Sequence, residues 1–168
     1  MRTIAVAAAL LLAGCASQHP QSAEEFRKAA PGGFMMASET VEVNRPLRDV
    51  AAAWQRRAPE CLNVSIRTTS QTATSYQVIT SIYKSTVVAG KDRAELHLQR
   101  QFKGSGVIIV GTPPADGDYI LVFDAYPLAG SRTKVQWLGL QKGHEAVVRA
   151  VKAWASGESL GCPDFTKG

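Results

Sequence analysis

Residues 40–50 read TVEVNRPLRDV, and within this stretch the hydrophobic pattern changes from that of a strand to that of a helix. Residues 40–43 alternate polar and apolar side chains, which predicts a short strand. Asn44 is a candidate helix cap. Pro46 suits a first helical turn, because its fixed φ fits a helix and its missing N–H has no partner there. The stretch therefore predicts a strand followed directly by a helix.

The predicted helix is amphipathic, and it continues as far as Ala58. We expect it to end before Pro59, because the residue preceding a proline disfavours helical backbone. Cys61 then follows just after the helix. The apolar residues that recur at helical spacing and define the buried stripe are Leu47, Val50, Ala51, Trp54 and Ala58.

The chain from residue 62 to residue 140 has mainly a period-two pattern, interrupted by turn-rich segments such as Gly104-Ser105-Gly106. This pattern predicts an antiparallel meander of five or six strands. Residues 119–126 are apolar on both faces, which is typical of a central strand. A second amphipathic helix is predicted from Gly143 to Ser156, and Gly157 can end it.

These elements predict an α+β fold. We expect an antiparallel sheet of about six to seven strands, with an N-terminal helix and a long C-terminal helix packed on one face. The element order, with residues 41–50 at its head, resembles the helix-grip (START-like) architecture over about residues 38–162. START-like proteins usually have two helices after the first strand, whereas this chain has one. The resemblance implies that Cys61 and Cys162 connect the ends of the first and last helices.

The N-terminus carries a signal-like segment. A single basic residue, Arg2, precedes ten apolar residues from Ile4 to Ala13. A membrane-spanning helix needs about 20 apolar residues, so this run is too short to span. Its length is typical of the hydrophobic region of a signal peptide, about 7–15 residues.

The apolar run ends in Leu12-Ala13-Gly14-Cys15, which resembles the lipobox of bacterial lipoproteins. The resemblance implies cleavage before Cys15, a diacylglycerol group on its thiol and a further acyl chain, such as palmitate, on the freed amine. Each buried CH₂ contributes about 0.8 kcal/mol, so two or three chains anchor a protein firmly. Ala16 in place of Asp implies the outer membrane, facing the periplasm. The alternative is an ordinary secretory signal peptide that happens to contain a cysteine.

The sequence therefore predicts three regions. Residues 1–14 form a cleaved signal peptide. Residues 15–37 form a lipidated N-terminus and a flexible tether, because they are rich in Ala, Ser, Gln, Pro and Gly. Residues 38–168 form a single α+β globular domain.

The two remaining cysteines allow one pairing. Cys61 and Cys162 are 101 positions apart, and the periplasm is oxidising, so a disulfide bond is the expected state. In the chain-entropy model such a long loop stabilises the fold by at most about 4–5 kcal/mol. The alternative is a pair of free buried thiols.

Composition excludes several classes of protein. Apolar residues make up 45% of the chain and charged residues 20%, which is ordinary for a globular domain and unlike a disordered chain or a multi-span membrane protein. The 19 Lys and Arg exceed the 14 Asp and Glu, giving a net charge of +5. This mild charge suits anionic neighbours in the cell envelope and does not predict nucleic-acid binding.

The sequence offers no catalytic or metal motif. His97 lies among polar residues of a predicted strand and His144 opens the last helix, so we expect both on the surface. There is no G-x-S-x-G nucleophile elbow. Asp116, Asp118 and Asp124 are close in sequence, but aspartates are ordinary residues in turns. We therefore predict no enzyme activity, no metal and no cofactor.

Two functions are consistent with the pattern. The first is a non-catalytic binding or scaffolding lipoprotein that contacts an envelope protein through its sheet face or helix pair, with a packed core. The second is a carrier or sensor of an apolar small molecule or lipid, held in a START-like cavity. The side chains that would line this cavity are Trp54, Phe123, Trp137, Val151 and Trp154.

Overall fold

The computed structural model describes residues 19–71, 76–104, 107, 109 and 111–166. Those residues form an α+β fold of helices and one antiparallel sheet, which confirms the predicted fold class. The helices are α1 (Ala23–Ala29), α2 (Leu47–Leu62) and α3 (Glu145–Ser156). The strands are β1 (Met36–Val43), β2 (Ser65–Gln71), β3 (Tyr76–Ala89), β4 (Ala94–Gly104), β5 (Asp118–Leu128) and β6 (Arg132–Leu140).

The sheet has six strands in the order β1-β6-β5-β4-β3-β2. Every neighbouring pair is antiparallel. β2 to β6 follow one another as the predicted meander, and β1 adds to it beside β6. β5 lies in the middle of the sheet and its residues 120–125 are all buried, which confirms the central strand predicted from residues 119–126.

Helices α2 and α3 pack on one face of the curled sheet. The stripe predicted for α2 is buried, and Trp54 has no exposed surface. Its indole Nε1 donates a hydrogen bond to the Val151 carbonyl oxygen at 3.2 Å, which joins α2 to α3. Removing a large apolar side chain from water contributes about 1.5–3 kcal/mol, so these contacts hold the helix pair on the sheet.

Helix α1 packs on the opposite face of the sheet. Phe26 and Ala30 bury against Val122 of β5, and the Ser22 hydroxyl caps the helix by accepting a hydrogen bond from the Glu25 N–H. The prediction of a flexible tether over residues 15–37 is therefore wrong for α1. The cause is long-range burial of Phe26, which local composition does not reveal.

The end of α2 also differs from the prediction. The helix continues through Pro59 to Leu62, so Cys61 lies inside it. Pro59 falls in the last turn, where it removes only one backbone hydrogen bond. Cys61 and Leu62 are buried in the core, and this burial favours the extra turn.

A disulfide bond joins Cys61 to Cys162, whose Cα atoms are 4.9 Å apart. It connects the last turn of α2 to the segment after α3, which confirms the predicted pairing. α3 ends at Gly157 as predicted: this glycine adopts a left-handed φ of 91° and donates its N–H to the last turn.

Candidate functional site

The five side chains predicted to line a cavity lie together in the core between the sheet and the helix pair. Each has at most 2% of its surface exposed. Phe123 packs between two of the tryptophans, with ring centroids 6.3 Å from Trp54 and 6.5 Å from Trp137. The other two, Val151 and Trp154, belong to the same cluster. In this structure the five residues are packed against one another as core.

An open cleft of about 570 Å³ runs between β1 and α3. Its apolar lining includes Val41 and Val43 from β1 and Val148 from α3, and Trp137 of β6 also reaches it. Such a cleft, with a partly apolar lining and charged groups beside it, is the usual form of a binding site.

The cleft lies beside an edge strand of the sheet, β1. Within the described residues it pairs with β6 on one side and with no strand on the other. An unpaired edge offers backbone N–H and C=O groups to an added strand. The cleft lies along this strand, since residues 39 and 41–43 contribute to its lining.

The charges of the cleft differ from those of the whole chain. Four acids and two bases line it, giving a net charge of −2, whereas the chain carries +5. Glu39 pairs with Lys152 and Glu42 pairs with Arg132, so the acids left for a ligand are Glu145 and Glu158, and these favour basic groups. The lining charges are those of Glu39, Glu42, Glu145, Arg149, Lys152 and Glu158.

One ion pair spans the cleft. Lys152 Nζ of α3 lies 2.8 Å from each carboxylate oxygen of Glu39 on β1. Glu39 Oε2 also accepts a hydrogen bond from Trp137 Nε1 at 3.1 Å. The hydrogen bond from Lys152, and then that from Trp137, lower the pKa of Glu39. Glu39 is therefore ionised at neutral pH and connects the strand edge to the helix.

A cluster of charged side chains lies beneath α1, on the face of the sheet opposite to α2 and α3. Arg27 of α1 contacts Glu95 of β4 and Asp124 of β5, and Glu95 also contacts Arg93 and His97. Burial raises the pKa of Glu95, but hydrogen bonds from Arg27, Arg93 and His97 outweigh it and lower the pKa to about 2. Every acid here has a basic partner, so the cluster holds α1 on the sheet.

His97 and His144 were both expected on the surface, but both side chains are largely buried. His97 lies against Glu95, with Nε2 to Oε2 at 2.9 Å, and its side chain is only 12% exposed. His144 is buried and its ring packs edge-on against Tyr83. Burial, and then the charge of Arg100, lower the pKa of His144. Sequence reasoning missed both because the rings that pack on them, Tyr119 on His97 and Tyr83 on His144, are distant in the chain.

The three neighbouring aspartates have separate partners. Asp116 pairs with Lys84 at 2.6 Å, Asp118 with His19 at 2.5 Å, and Asp124 with Arg27. Across the described ranges, no three His, Cys, Asp or Glu side chains are grouped so that they could hold a metal ion.

The lipobox and its Cys15 lie outside the described residues. Among the helices of the described part of the chain, none is long and apolar enough to cross a membrane.

Comparisons with known proteins yield likenesses in structure. No protein-family model matches the chain, and no curated protein matches it. A START superfamily protein from Mycobacterium smegmatis is 12% identical, with a TM-score of 0.39, covering 73% of this chain and 94% of that one. A conserved protein from Geobacillus kaustophilus is 11% identical, with a TM-score of 0.35, covering 71% of this chain and 89% of that one.

A third similar structure is the di-domain ARO/CYC BexL from the BE-7585A biosynthetic pathway. It is 13% identical, with a TM-score of 0.35, covering 74% of this chain and 46% of that one. These similarities concern the arrangement of helices and strands. At such identities they assign neither a ligand nor an activity to this chain.

Proposed function

We propose that this chain is a non-catalytic binding lipoprotein of the bacterial envelope. Its lipid on Cys15 anchors it in the outer membrane, facing the periplasm, and it docks an extended segment of an envelope protein in the cleft between β1 and α3. The observation that carries the proposal is the unpaired edge of β1 beside an open, acidic cleft. The burial of the five predicted cavity residues in one packed cluster supports it too.

The chemistry of the cleft defines the segment. A strand added to β1 would gain main-chain hydrogen bonds along the edge, and its alternate side chains would enter the cleft. Apolar side chains would contact Trp137 and Val148, and basic ones would lie near Glu145 and Glu158. The expected partner therefore contains a short extended segment that alternates apolar and basic residues.

Site-specific photo-crosslinking in living cells tests this docking. A photoreactive amino acid replaces Val41 on the β1 edge, and the matched control replaces Thr68 on β2, the opposite edge of the sheet. We expect a defined adduct from position 41 and none from position 68, and mass spectrometry should map it to an extended basic segment. Equal adducts at both positions, or none from position 41, contradict the proposal.

The anchor has its own test. Cys15→Ser removes the thiol that the lipid requires, and we expect the variant to leave the membrane fraction. The intact mass of the wild-type protein should show the added acyl chains. A wild-type mass without acyl chains would refute the proposed lipid anchor but would leave the proposed docking in the cleft untouched.

The second candidate function is a carrier or sensor of an apolar small molecule or lipid. The apolar side chains of Trp137 and Val148 in the lining of the cleft favour this function. Native mass spectrometry of the full chain separates the two functions. A non-covalent mass that disappears on denaturation would support the carrier, and its absence together with a position-41 adduct would support the binding protein.

A further inference from the structure

The chain enters the described domain at one end of the sheet. His19 Nδ1 lies 2.5 Å from the Asp118 carboxylate at the start of β5. The same end contains the start of β1 and the end of β6, because Met36 pairs with Leu140. His19 and Met36 also line one small cleft of about 260 Å³. The entry point is therefore next to the loop that connects α1 to β1.

The proposed lipid would keep this end of the sheet close to the bilayer. Cys15 precedes His19 by four residues. A fully extended chain spans at most about 3.6 Å per residue, so the two residues can be no more than about 14 Å apart. A lipid-anchored Cys15 thus forces the His19 end of the sheet to lie at the membrane surface.

Exposed apolar side chains are concentrated at this same end. Phe34 and Met35 lie in the loop before β1 and are 90% and 42% exposed. Tyr76 begins β3, Phe102 lies near the end of β4, and Ile109 lies in the loop between β4 and β5. These side chains are spread along one end of the sheet from β1 to β3, and exposed apolar groups gathered at one end favour an interaction surface.

The exposed apolar residues elsewhere are fewer. Of the large apolar residues exposed in the described ranges, Val88 lies at the opposite end of the sheet and Leu160 follows α3.

Met35 has a positive φ of 63°. This conformation costs a non-glycine residue on the order of 1–2 kcal/mol. Strain of this kind is concentrated at functional positions, and here it accompanies the exposure of Phe34.

The charges at this end suit a bilayer with anionic lipids. Lys103 and Lys142 are exposed there. Two of the nearby acids have basic partners, since Asp116 pairs with Lys84 and Asp118 lies against His19. Lysines close to an anionic surface contribute about 1 kcal/mol each.

We propose that Phe34, Met35, Tyr76, Phe102 and Ile109, which we call the anchor-side rim, lie in the headgroup region of the bilayer that holds the lipid of Cys15. The inference rests on the proposed lipid anchor. Apolar and aromatic side chains beside lysines are the pattern of interfacial membrane contact. The contact fixes the orientation of the domain, with β1 running away from the membrane from its first residue, Met36.

Depth-dependent quenching of tryptophan fluorescence tests the rim. The full-length lipidated protein is reconstituted into vesicles of phosphatidylethanolamine and phosphatidylglycerol that contain a brominated phospholipid. Phe34→Trp places a probe on the rim, and Val88→Trp places one at the opposite end on a residue that is also exposed, at 51%. The three native tryptophans are at most 2% exposed and supply the background that is subtracted.

We expect brominated lipid to quench the added emission of F34W at least about twofold more than that of V88W, because bromine quenches only probes at membrane depth. Equal quenching in vesicles that retain the protein overturns the rim while leaving the anchor intact. Failure of the wild-type protein to float with the vesicles overturns the anchor and the rim together. A blue-shifted but unquenched F34W emission means that protein covers the rim, and this also overturns the inference.

Discussion

The Arg27 guanidinium of α1 holds the Asp124 carboxylate of β5 through two hydrogen bonds, Nε to Oδ2 at 2.8 Å and Nη2 to Oδ1 at 2.7 Å. Paired bonds of this kind are among the stronger polar contacts in proteins. α1 has only seven residues, and so short a helix is not stable alone in water. Its position therefore depends on Arg27 and on the burial of Phe26.

Replacing Arg27 should destabilise the fold more than replacing its neighbour. In Arg27→Ala, Asp124 and Glu95 lose their main cationic partner while largely buried, and we expect the free energy of unfolding to fall by about 3 kcal/mol. Lys28→Ala is the matched control, because Lys28 is exposed and should change stability by less than about 0.5 kcal/mol. Urea unfolding measures both. Similar losses in the two variants would show that Arg27 does not hold α1.

The same cluster predicts how stability depends on pH. The pKa of Glu95 falls from its ordinary value of 4.5 to about 2 in the folded protein. A depressed carboxyl pKa stabilises the fold fully above about pH 4.5, and this contribution is lost as the pH falls towards 2. Glu95→Gln cannot lose a charge in this range. We therefore expect the stability difference between wild type and E95Q to be constant above pH 5 and to shrink below pH 4.5.

That expectation is checked by urea unfolding of both proteins at several pH values from 7 to 2.5. The comparison cancels the other carboxyl groups, which titrate in both proteins. A stability difference that stays constant down to pH 2.5 would mean that Glu95 titrates normally in the folded state.

The disulfide bond should stabilise the fold by constraining the unfolded chain. Cys61 and Cys162 close a loop between positions 101 residues apart, for which the chain-entropy model gives at most about 4–5 kcal/mol. We expect reduction with dithiothreitol, or Cys61→Ser with Cys162→Ser, to lower the urea midpoint by the same amount. Dithiothreitol should have no effect on the double variant, and an unchanged wild-type midpoint would contradict the prediction.

Periodicity predicted the elements whose stability is encoded locally. The 3.6-residue pattern located α2 and α3, and the two-residue pattern located the meander. The doubly apolar residues 119–126 identified β5 as a central strand, because both of its faces are covered. These predictions succeeded because an element that is buried on one or two faces has a regular pattern of apolar residues in its sequence.

The features that periodicity did not predict depend on contacts between residues that are distant in the chain. α1 was predicted as part of a tether because its short, polar sequence gives no sign that Arg27 meets Glu95 and Asp124, 68 and 97 positions away. The burial of His144 likewise depends on its packing against Tyr83. The β1–α3 cleft could not be predicted either, since it requires the order of the strands and the position of a helix relative to a sheet edge.

The packing of the core yields a last prediction, which also bears on the choice between the two functions. Phe123 is fully buried between Trp54 and Trp137. If this region is filled, Phe123→Ala should lower the free energy of unfolding by about 3–5 kcal/mol and leave an apolar cavity. Such cavities stay dry and accept small aromatic molecules, so benzene should raise the melting temperature of F123A but not that of the wild type.

Phe34→Ala provides the control for this experiment, because Phe34 is 90% exposed and its loss in solution should change stability by less than about 0.5 kcal/mol. The opposite result is equally informative. If the wild-type protein is itself stabilised by benzene, and F123A is nearly as stable as the wild type, then the space between the sheet and α3 opens to ligands. The carrier function would then be favoured over docking at the β1 edge.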